Sequence, residues 1–299
     1  MKRIAAIVVT YNRLNLLKKC IHALMCQTQM PDILIVNNAS TDGTETWCAA
    51  LTESNIGIHY FNTGENIGGA GGFNFGMKQA VAMEYDGVWI MDDDCLPAPD
   101  ALEKLLKADA QLSEDYGYLS SVVLWKDGKE CRMNRQKICK YYFDYAHYLS
   151  KGLIQVEQST FVSLFFPIHT LRTVGYPIKD FFIWGDDIEY TRRIAIRSGL
   201  PSFMAIGSTV VHAMKTNDGS NIADDSFERI DRYRYAFRNE AFLYRQEGVR
   251  GLCYYFAKCA YHFLRILFHS KDFRLRRCRI MCSGMFQGLL FHPRLEGLD

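Results

Sequence analysis

Apolar positions in the N-terminal third of the chain fall in short runs, and the runs alternate between two spacings. Ile4 to Val9 is uninterrupted and rich in β-branched residues, the pattern of a strand buried on both faces. Leu14 to Met25 follows with Leu14, Leu17, Ile21, Leu24 and Met25 at helical intervals, so that one face of a helix is apolar. Ile33 to Val36, Ile58 to Phe61 and Val88 to Met91 read as further short strands, with helices over Thr44 to Leu51 and Gly76 to Met83. This alternation predicts βαβ units: an α/β fold whose sheet is mostly parallel and flanked by helices.

In such sheets, ligands bind beyond the carboxyl ends of the strands. Here those ends are all polar: Thr10-Tyr11-Asn12, Asn37-Asn38-Ala39-Ser40, Asn62 and Asp92-Asp93-Asp94. Any one of them fits an ordinary strand end, but four on one edge predict a binding crevice. No Gly-x-Gly-x-x-Gly turn follows the first strand, which argues against a dinucleotide fold.

Composition changes this picture little. The chain has 299 residues, 48% of them apolar and 23% charged, enough for one large domain or a core domain with an appendage. Charge is less even: 14 Lys and Arg stand against 6 Asp and Glu from Arg229 onward, and 21 against 27 before it. A basic C-terminal region on a mildly acidic body predicts an anionic partner surface, lipid or nucleic acid. The ten cysteines are scattered without a C-x-x-C pair, and Lys2-Arg3 precede only six apolar residues, too few for a secretory leader. Free thiols in a reducing cytosol are expected. No run of about 18 apolar residues demands a membrane span.

Four features carry candidate chemistry. Asp92-Asp93-Asp94 ends the apolar Val88-Trp89-Ile90-Met91, and like charges at a strand end cost stability unless something positive sits among them. Hard oxygen ligands at that density suit Mg2+ or Mn2+ bridging to substrate phosphates; an exposed acidic turn before Pro97 and Pro99 is the plainer alternative. Asn66-Ile67-Gly68-Gly69-Ala70-Gly71-Gly72-Phe73 puts four glycines within five residues before a helix. There a ligand could approach the backbone and an anion could meet unpaired N–H groups, although a flexible linker would read similarly. Trp184-Gly185-Asp186-Asp187 opens a helix expected over Ile188 to Ser198; its carboxylates are either helix caps or a general base on a rigid element. His212 closes the strand-like Thr209-Val210-Val211, as a metal ligand or as a structural histidine.

In their order along the chain, "AIVVTYNR", "VNNASTDGT", "ENIGGAGGFNFG", "WIMDDDCLP" and "FFIWGDDIEYTRR" resemble the inverting nucleotide-sugar glycosyltransferases of family 2, with the GT-A (Rossmann-like) fold. The resemblance covers about residues 3 to 245. "NIGGAGGF" with "DDD" is most similar to bacterial galactofuranosyltransferases, then to rhamnosyltransferases. Together with the charge boundary it implies a GT-A catalytic domain over residues 1–228 and a helical, basic C-terminal region over 229–299. It also implies that Thr10 and Tyr11 line the nucleotide pocket, that Asn38 meets the base edge where many relatives carry Asp, and that Asn66, Gly68 and Gly69 approach the donor. Asp92 is placed near the ribose or the metal, Asp94 as the most direct metal ligand, and Asp93 and Trp184 among the donor-binding groups. Asp187 becomes the catalytic base, Asp186 the acidic residue beside it, and His212 a metal ligand. A mixed Asp and His set leans to Mn2+ over Mg2+.

The activity so implied is inverting, divalent-metal-dependent transfer of galactofuranose from UDP-galactofuranose to a glycan or lipid-linked glycan acceptor, in bacterial surface polysaccharide synthesis. Transfer of rhamnose or another hexose on the same fold is the alternative. From another class, a metal-dependent nucleotidyltransferase would need a basic triphosphate loop, and "VTYNRLN" supplies only Arg13. Beyond this core, Tyr233 to Arg245 reads as an amphipathic helix. Gly251 to Phe268 reads as a broadly apolar one, with Lys258, His262, Arg265 and His269 in one polar stripe. Lys271, Arg274, Arg276, Arg277 and Arg279 follow. Such a region suits the surface of an anionic inner membrane, or packs on the catalytic domain or on a second subunit of a homo-oligomer. Nucleic acid is not expected, because no recognition module accompanies the charge. The chain is thus expected in the cytoplasm, at the cytoplasmic face of the inner membrane where the tail meets lipid.

Overall fold

The computed structural model describes residues 2–113, 115–140 and 142–297. Its strands are β1 (Ile4–Thr10), β2 (Asp32–Asn37), β3 (Ile58–Asn62), β4 (Gly87–Asp92), β5 (Cys95–Pro97), β6 (Leu119–Leu124), β7 (Lys137–Ile138), β8 (Leu153–Gln158), β9 (Leu164–Pro167) and β10 (Ser202–His212). Its helices are α1 (Leu14–Met25), α2 (Thr44–Ser54), α3 (Gly68–Ala82), α4 (Ala101–Leu112), α5 (Ile168–Val174), α6 (Asp186–Arg192), α7 (Phe227–Ile230), α8 (Tyr233–Arg245), α9 (Gly248–His269) and α10 (Arg274–Leu290). The sheet runs in the order β3-β2-β1-β4-β9-β6-β10-β8-β7, with β5 paired to β10. β1 pairs in parallel with β2 and β4, β2 with β3, and β6 with β10. β9 runs antiparallel between β4 and β6. The sheet is mixed but mostly parallel, as the alternating spacings predict.

The two-residue repeat of a strand sorts the core into two layers. Ile4, Ala6 and Val8 of β1 share one cluster with Leu17, Cys20 and Ile21 of α1 and Leu102 and Leu105 of α4. Ala5, Ile7 and Val9 share the other with Phe73 and Met77 of α3, Leu171 of α5 and Tyr190 of α6. With both faces covered, every residue of β1 is buried, and so its sequence shows no polar alternation.

α1 has the bounds that its periodicity predicts, but α3 does not. Expected to begin at Gly76 after a glycine loop, it begins at Gly68, so the glycines form its first turns. A Cβ on Gly72 would lie 2.5 Å from Val9 Cγ1, and one on Gly76 would lie 2.6 Å from Ile7 Cγ2. Helix and sheet therefore approach more closely than any side chain allows, and packing overrides the poor helix propensity of glycine. The helix expected to reach Ser198 is α-helical only to Arg192 and continues as one wider turn over Arg193–Arg197.

α8 has its predicted bounds. With α9 and α10 it encloses a third core that includes Phe237, Tyr255, Ile266 and Met281. The chain then returns to the body, up to residue 297; residues 298 and 299 of the expected C-terminal region lie outside the described residues. Glu296 accepts hydrogen bonds from Lys179 Nζ (2.7 Å), Lys78 Nζ (2.7 Å) and Asn74 Nδ2 (2.9 Å). Its carbonyl accepts another from Tyr176 N (3.0 Å). Partial burial opposes the Glu296 charge, but the three donors outweigh it and hold the carboxyl down at about 2.

A carboxylate with a depressed folded pKa stabilises the fold above its unfolded value and loses that contribution as pH falls through the folded one. Glu296 is thus expected to fasten the tail at neutral pH and to release it in acid, between pH 4.5 and about 2. In thermal melts, Glu296→Gln should fall below the parent at neutral pH, with the gap closing by about pH 2. A gap that persists in acid would separate the tail's attachment from this charge.

Candidate active site

Parallel register lines up the polar strand ends. Thr10 stands opposite Asn37, Asn37 opposite Asn62, and Val9 opposite Asp92. β10, parallel to β6, brings His212 to the same edge, where it pairs with Cys95 just beyond the three aspartates.

Those aspartates take different partners. Asp93 is buried; its Oδ2 accepts from Thr10 Oγ1 (2.7 Å) and its Oδ1 from Arg13 Nη1 (2.9 Å). Both oxygens of this expected donor-binding residue, and the Thr10 hydroxyl, are thereby engaged with the loop before α1. Asp94 is buried too, and accepts from the same Arg13 nitrogen (2.8 Å) and from His212 Nε2 (3.0 Å). Asp92 is only half-buried. Burial, with Asp94 adding to it, pushes the Asp92 carboxyl up to about 7; burial likewise takes Asp93 up to about 6 in spite of Arg13. Asp94 moves the other way, because the hydrogen bond and charge of His212, together with Arg13, outweigh its burial. Arg13 is the positive group that such a strand end requires.

His212 is held from both sides. Its Nδ1 lies 2.7 Å from Asn134 Oδ1, which can only accept, so Nδ1 carries a proton. Asn134 is itself fixed, since its Nδ2 donates to Thr160 Oγ1 (2.8 Å) and the Cys131 thiol donates to its Oδ1 (3.0 Å). Nε2 is left facing Asp94. Burial opposes a charge on the ring, but the Asp94 hydrogen bond leads a set of contacts that lift it to about 10. Asp92, Asp94 and His212 each offer one ligand atom, all within 4.8 Å of one another. Two hard carboxylates and an imidazole fit Mn2+ or Mg2+. A cation would replace the Nε2 proton and relieve the repulsion that raises Asp92.

A strained turn precedes α6. Phe182 (φ 64°), Trp184 (φ 65°) and Gly185 (φ 86°) are all left-handed, and bulky aromatic residues avoid that region. Asn239 of α8 holds the turn: its Nδ2 donates to the carbonyls of Phe181 (3.0 Å), Ile183 (3.1 Å) and Trp184 (2.7 Å). Trp184 packs edge-on to Tyr233, with 4.8 Å between ring centroids. The Phe182 carbonyl accepts from Ala70 N in α3 (3.2 Å). A Cβ on Gly68 would sit 2.1 Å from that oxygen. Asn66 Oδ1 accepts from Gly68 N (3.0 Å), and Asn38 Nδ2 donates to Gly68 O (3.0 Å). Asn38, Asn66 and Gly68 are thus joined to one another. Gly69 opens on free space, and Tyr11 is exposed.

The turn delivers Asp186 and Asp187 to the first turn of α6. Asp186 is buried, and burial, Asp187 and Asp92 together push its carboxyl well up. Asp92 is thus near enough to Asp186 to act on its charge. Burial raises Asp187 to about 6, against the hydrogen bond that its Oδ1 accepts from Ile188 N (2.7 Å).

Arg13, Asn134 and Asn239 have structural parts that the sequence reading did not assign. Arg13 lies within "AIVVTYNR", and Asn239 within a Tyr-x-x-Arg-Asn stretch of α8 that also resembles the family. Asn134 carries no signal along the chain, since its role depends wholly on contacts with Thr160 and His212.

Residues 5–168 match the protein family described as "Glycosyl transferase family 2". The galactofuranosyltransferase GlfT1 of Mycolicibacterium smegmatis is 28% identical over 265 residues, covering 83% of this chain and 85% of that protein. Among solved structures, GalNAc-T7 with UDP, GalNAc and Mn2+ is similar with a TM-score of 0.61 at 13% identity, over 84% of this chain and 53% of that one. The mannosyltransferase PcManGT from Pyrobaculum calidifontis, in complex with GDP-Man and Mn2+, gives 0.56 at 18% identity, over 97% of this chain and 75% of that one. These structural likenesses show the fold, which is GT-A.

Asn134 determines which His212 nitrogen faces Asp94. Asn134→Leu is therefore expected to weaken Mn2+ binding by about 10- to 100-fold, the usual effect of losing a ligand's outer partner. The readout is the Mn2+-dependent rise in melting temperature, and an unchanged titration would detach Asn134 from the site.

Proposed function

The chain belongs to glycosyl transferase family 2, and from that premise we propose an inverting, divalent-metal-dependent enzyme that moves galactofuranose from UDP-galactofuranose. The acceptor is a glycan or lipid-linked glycan of a bacterial surface polysaccharide, met at the cytoplasmic face of the inner membrane. One observation carries this reading: Asp92, Asp94 and His212 offer ligand atoms within 4.8 Å of one another, and Asp92 acts on the charge of Asp186 beside Asp187. Likeness to GlfT1 supports galactofuranose over rhamnose.

As the sugar leaves, negative charge grows on the nucleoside diphosphate. Asp92, Asp94 and His212 would hold the Mn2+ or Mg2+ that offsets it as a Lewis acid. Arg13 and Thr10 hold Asp93, and Arg13 also steadies Asp94, so the ligands keep their place. Tyr11 flanks the nucleotide pocket. Asn38 and Asn66 shape the backbone at Gly68 and leave Gly69 open to the donor. Trp184, anchored on Tyr233, borders the sugar.

The acceptor hydroxyl attacks the anomeric carbon as the bond from that carbon to the diphosphate breaks, and Asp187 takes the hydroxyl proton. Raised to about 6, Asp187 is ionised at neutral pH yet a stronger base than an exposed carboxylate, which suits a general base. Asp186, raised by burial and by its neighbours Asp187 and Asp92, stands beside the base. A single direct displacement inverts the centre and needs no covalent glycosyl-enzyme.

Asp187→Asn is expected to bind donor as the parent does but to turn over at least ~100-fold more slowly. The base must be ionised, so the parent's rate should rise with pH through a limb at about 6. Turnover like the parent's would remove Asp187 from the role. Incubation with Mn2+ and a panel of nucleotide sugars tests the reaction itself. Acceptor-dependent UDP release from UDP-galactofuranose, abolished by EDTA, is expected. Activity indifferent to chelation would sink the mechanism, and pyrophosphate release would mark a nucleotidyltransferase.

A further inference from the structure

α9 buries Tyr255, Cys259 and Ile266 against α8 and α10, flanks them with the half-buried Lys258, His262 and Arg265, and turns a second apolar face to solvent, where an ordinary surface helix is polar. Lys258 Nζ pairs with Glu240 of α8 (2.6 Å), and Arg265 Nη2 pairs with Asp224 (2.6 Å). Burial, with Lys258 and Arg265 nearby, pushes the His262 imidazole down to about 4, and its ring stands edge-on to Phe237. On the outer side Phe256, Tyr261, Phe263, Leu264, Leu267 and Phe268 are all exposed, Phe268 to 74%. α10 adds Leu275 and Phe286, exposed to 89% and 66%. Apolar surface gathered in this way marks an interaction site.

Cations outnumber anions around that surface, where the carboxylates of Asp231 and Asp272 are already paired with Arg276 and Arg277. Arg250, Lys271 and Arg279 are exposed, and among the described residues none of them pairs with a carboxylate. A symmetric contact with a second copy would set the patch against itself and bring these like charges together. Aromatic and aliphatic side chains bordered by cations instead match an anionic lipid surface, where rings settle at headgroup level and cations meet phosphates. A flat placement is required, because no helix among the described residues is long and apolar enough to cross a membrane.

We propose that the outer faces of α9 and α10 seat the protein on an anionic bilayer, with the apolar side chains inserted and Arg250, Lys271 and Arg279 at the headgroups. This surface lies one helix from the candidate active site. α8 carries both Glu240, which anchors α9, and Asn239, which holds the Trp184 turn. A membrane-bound acceptor would then be presented beside the catalytic carboxyls. That consequence rests on the glycosyltransferase reading above; the surface itself does not.

The test sediments the full chain with vesicles of phosphatidylcholine, alone or mixed with phosphatidylglycerol. Binding to the anionic vesicles is expected, and it should fall at least ~10-fold in L264D/F268D as inserted apolar groups are lost. Reversing the border charges in R250E/K271E/R279E should weaken it by a similar ~10-fold. Both variants should keep the parent's melting temperature and its transfer to a water-soluble acceptor. A parent that binds neither vesicle, or a well-folded L264D/F268D that binds like the parent, would overturn the proposal. So would a parent dimer dissociated by L264D/F268D, because the face would then join two copies. A chain that binds vesicles but releases UDP from no donor supports the surface and removes the activity instead.

Discussion

Carboxylates buried side by side are the constraint on which this structure depends. Asp92, Asp93 and Asp94 lie at the end of β4, Asp186 and Asp187 open α6 within electrostatic reach of Asp92, and four of the five are raised by burial. A charge taken from water must be paired or neutralised. Arg13 and His212 lower Asp94, whereas burial and the nearby Asp187 and Asp92 raise Asp186. Arg13 and His212 relieve part of the repulsion, and a cation at Asp92, Asp94 and His212 would relieve more.

Holding such groups in place requires rigid loops, and three loops brace one another. The Trp184 turn is strained, but Asn239 ties three of its carbonyls and α3 ties a fourth through Ala70 N. Gly68 lets α3 come that close, and its own backbone is pinned by Asn38 and Asn66. Asparagine serves this purpose because one short amide both donates and accepts. Strain of this kind persists only where the surroundings over-determine it.

α8 links this machinery to the C-terminal helices. Adjacent residues on it act in opposite directions, Asn239 on the Trp184 turn and Glu240 on Lys258 of α9. Tyr255, Cys259 and Ile266 turn one side of α9 to the core, and the ion pairs of Lys258 and Arg265 flank that side. They leave an outer face rich in Phe, Tyr and Leu.

What the sequence alone determined is local. The bounds of α1 and α8, the short buried strands and the polar strand ends are all legible, because spacing along the chain sets which side chains share a face. The Asp92 to Asp94 run, the Asp186-Asp187 pair and His212 could be singled out, because each is an unfavourable or unusual group in its own short segment. Tertiary structure alone decided what answers them. Arg13 reaches Asp93 across 80 positions, Asn134 reaches His212 across 78, and Asn239 reaches Trp184 across 55. It also decided that the glycines of α3 belong inside the helix, pressed on Val9 and Ile7. The same holds for α9, whose orientation depends on the core that Tyr255, Cys259 and Ile266 share with Phe237 of α8 and Met281 of α10. Periodicity records that a helix has two sides. Only partners brought from elsewhere in the chain decide which side the fold can bury.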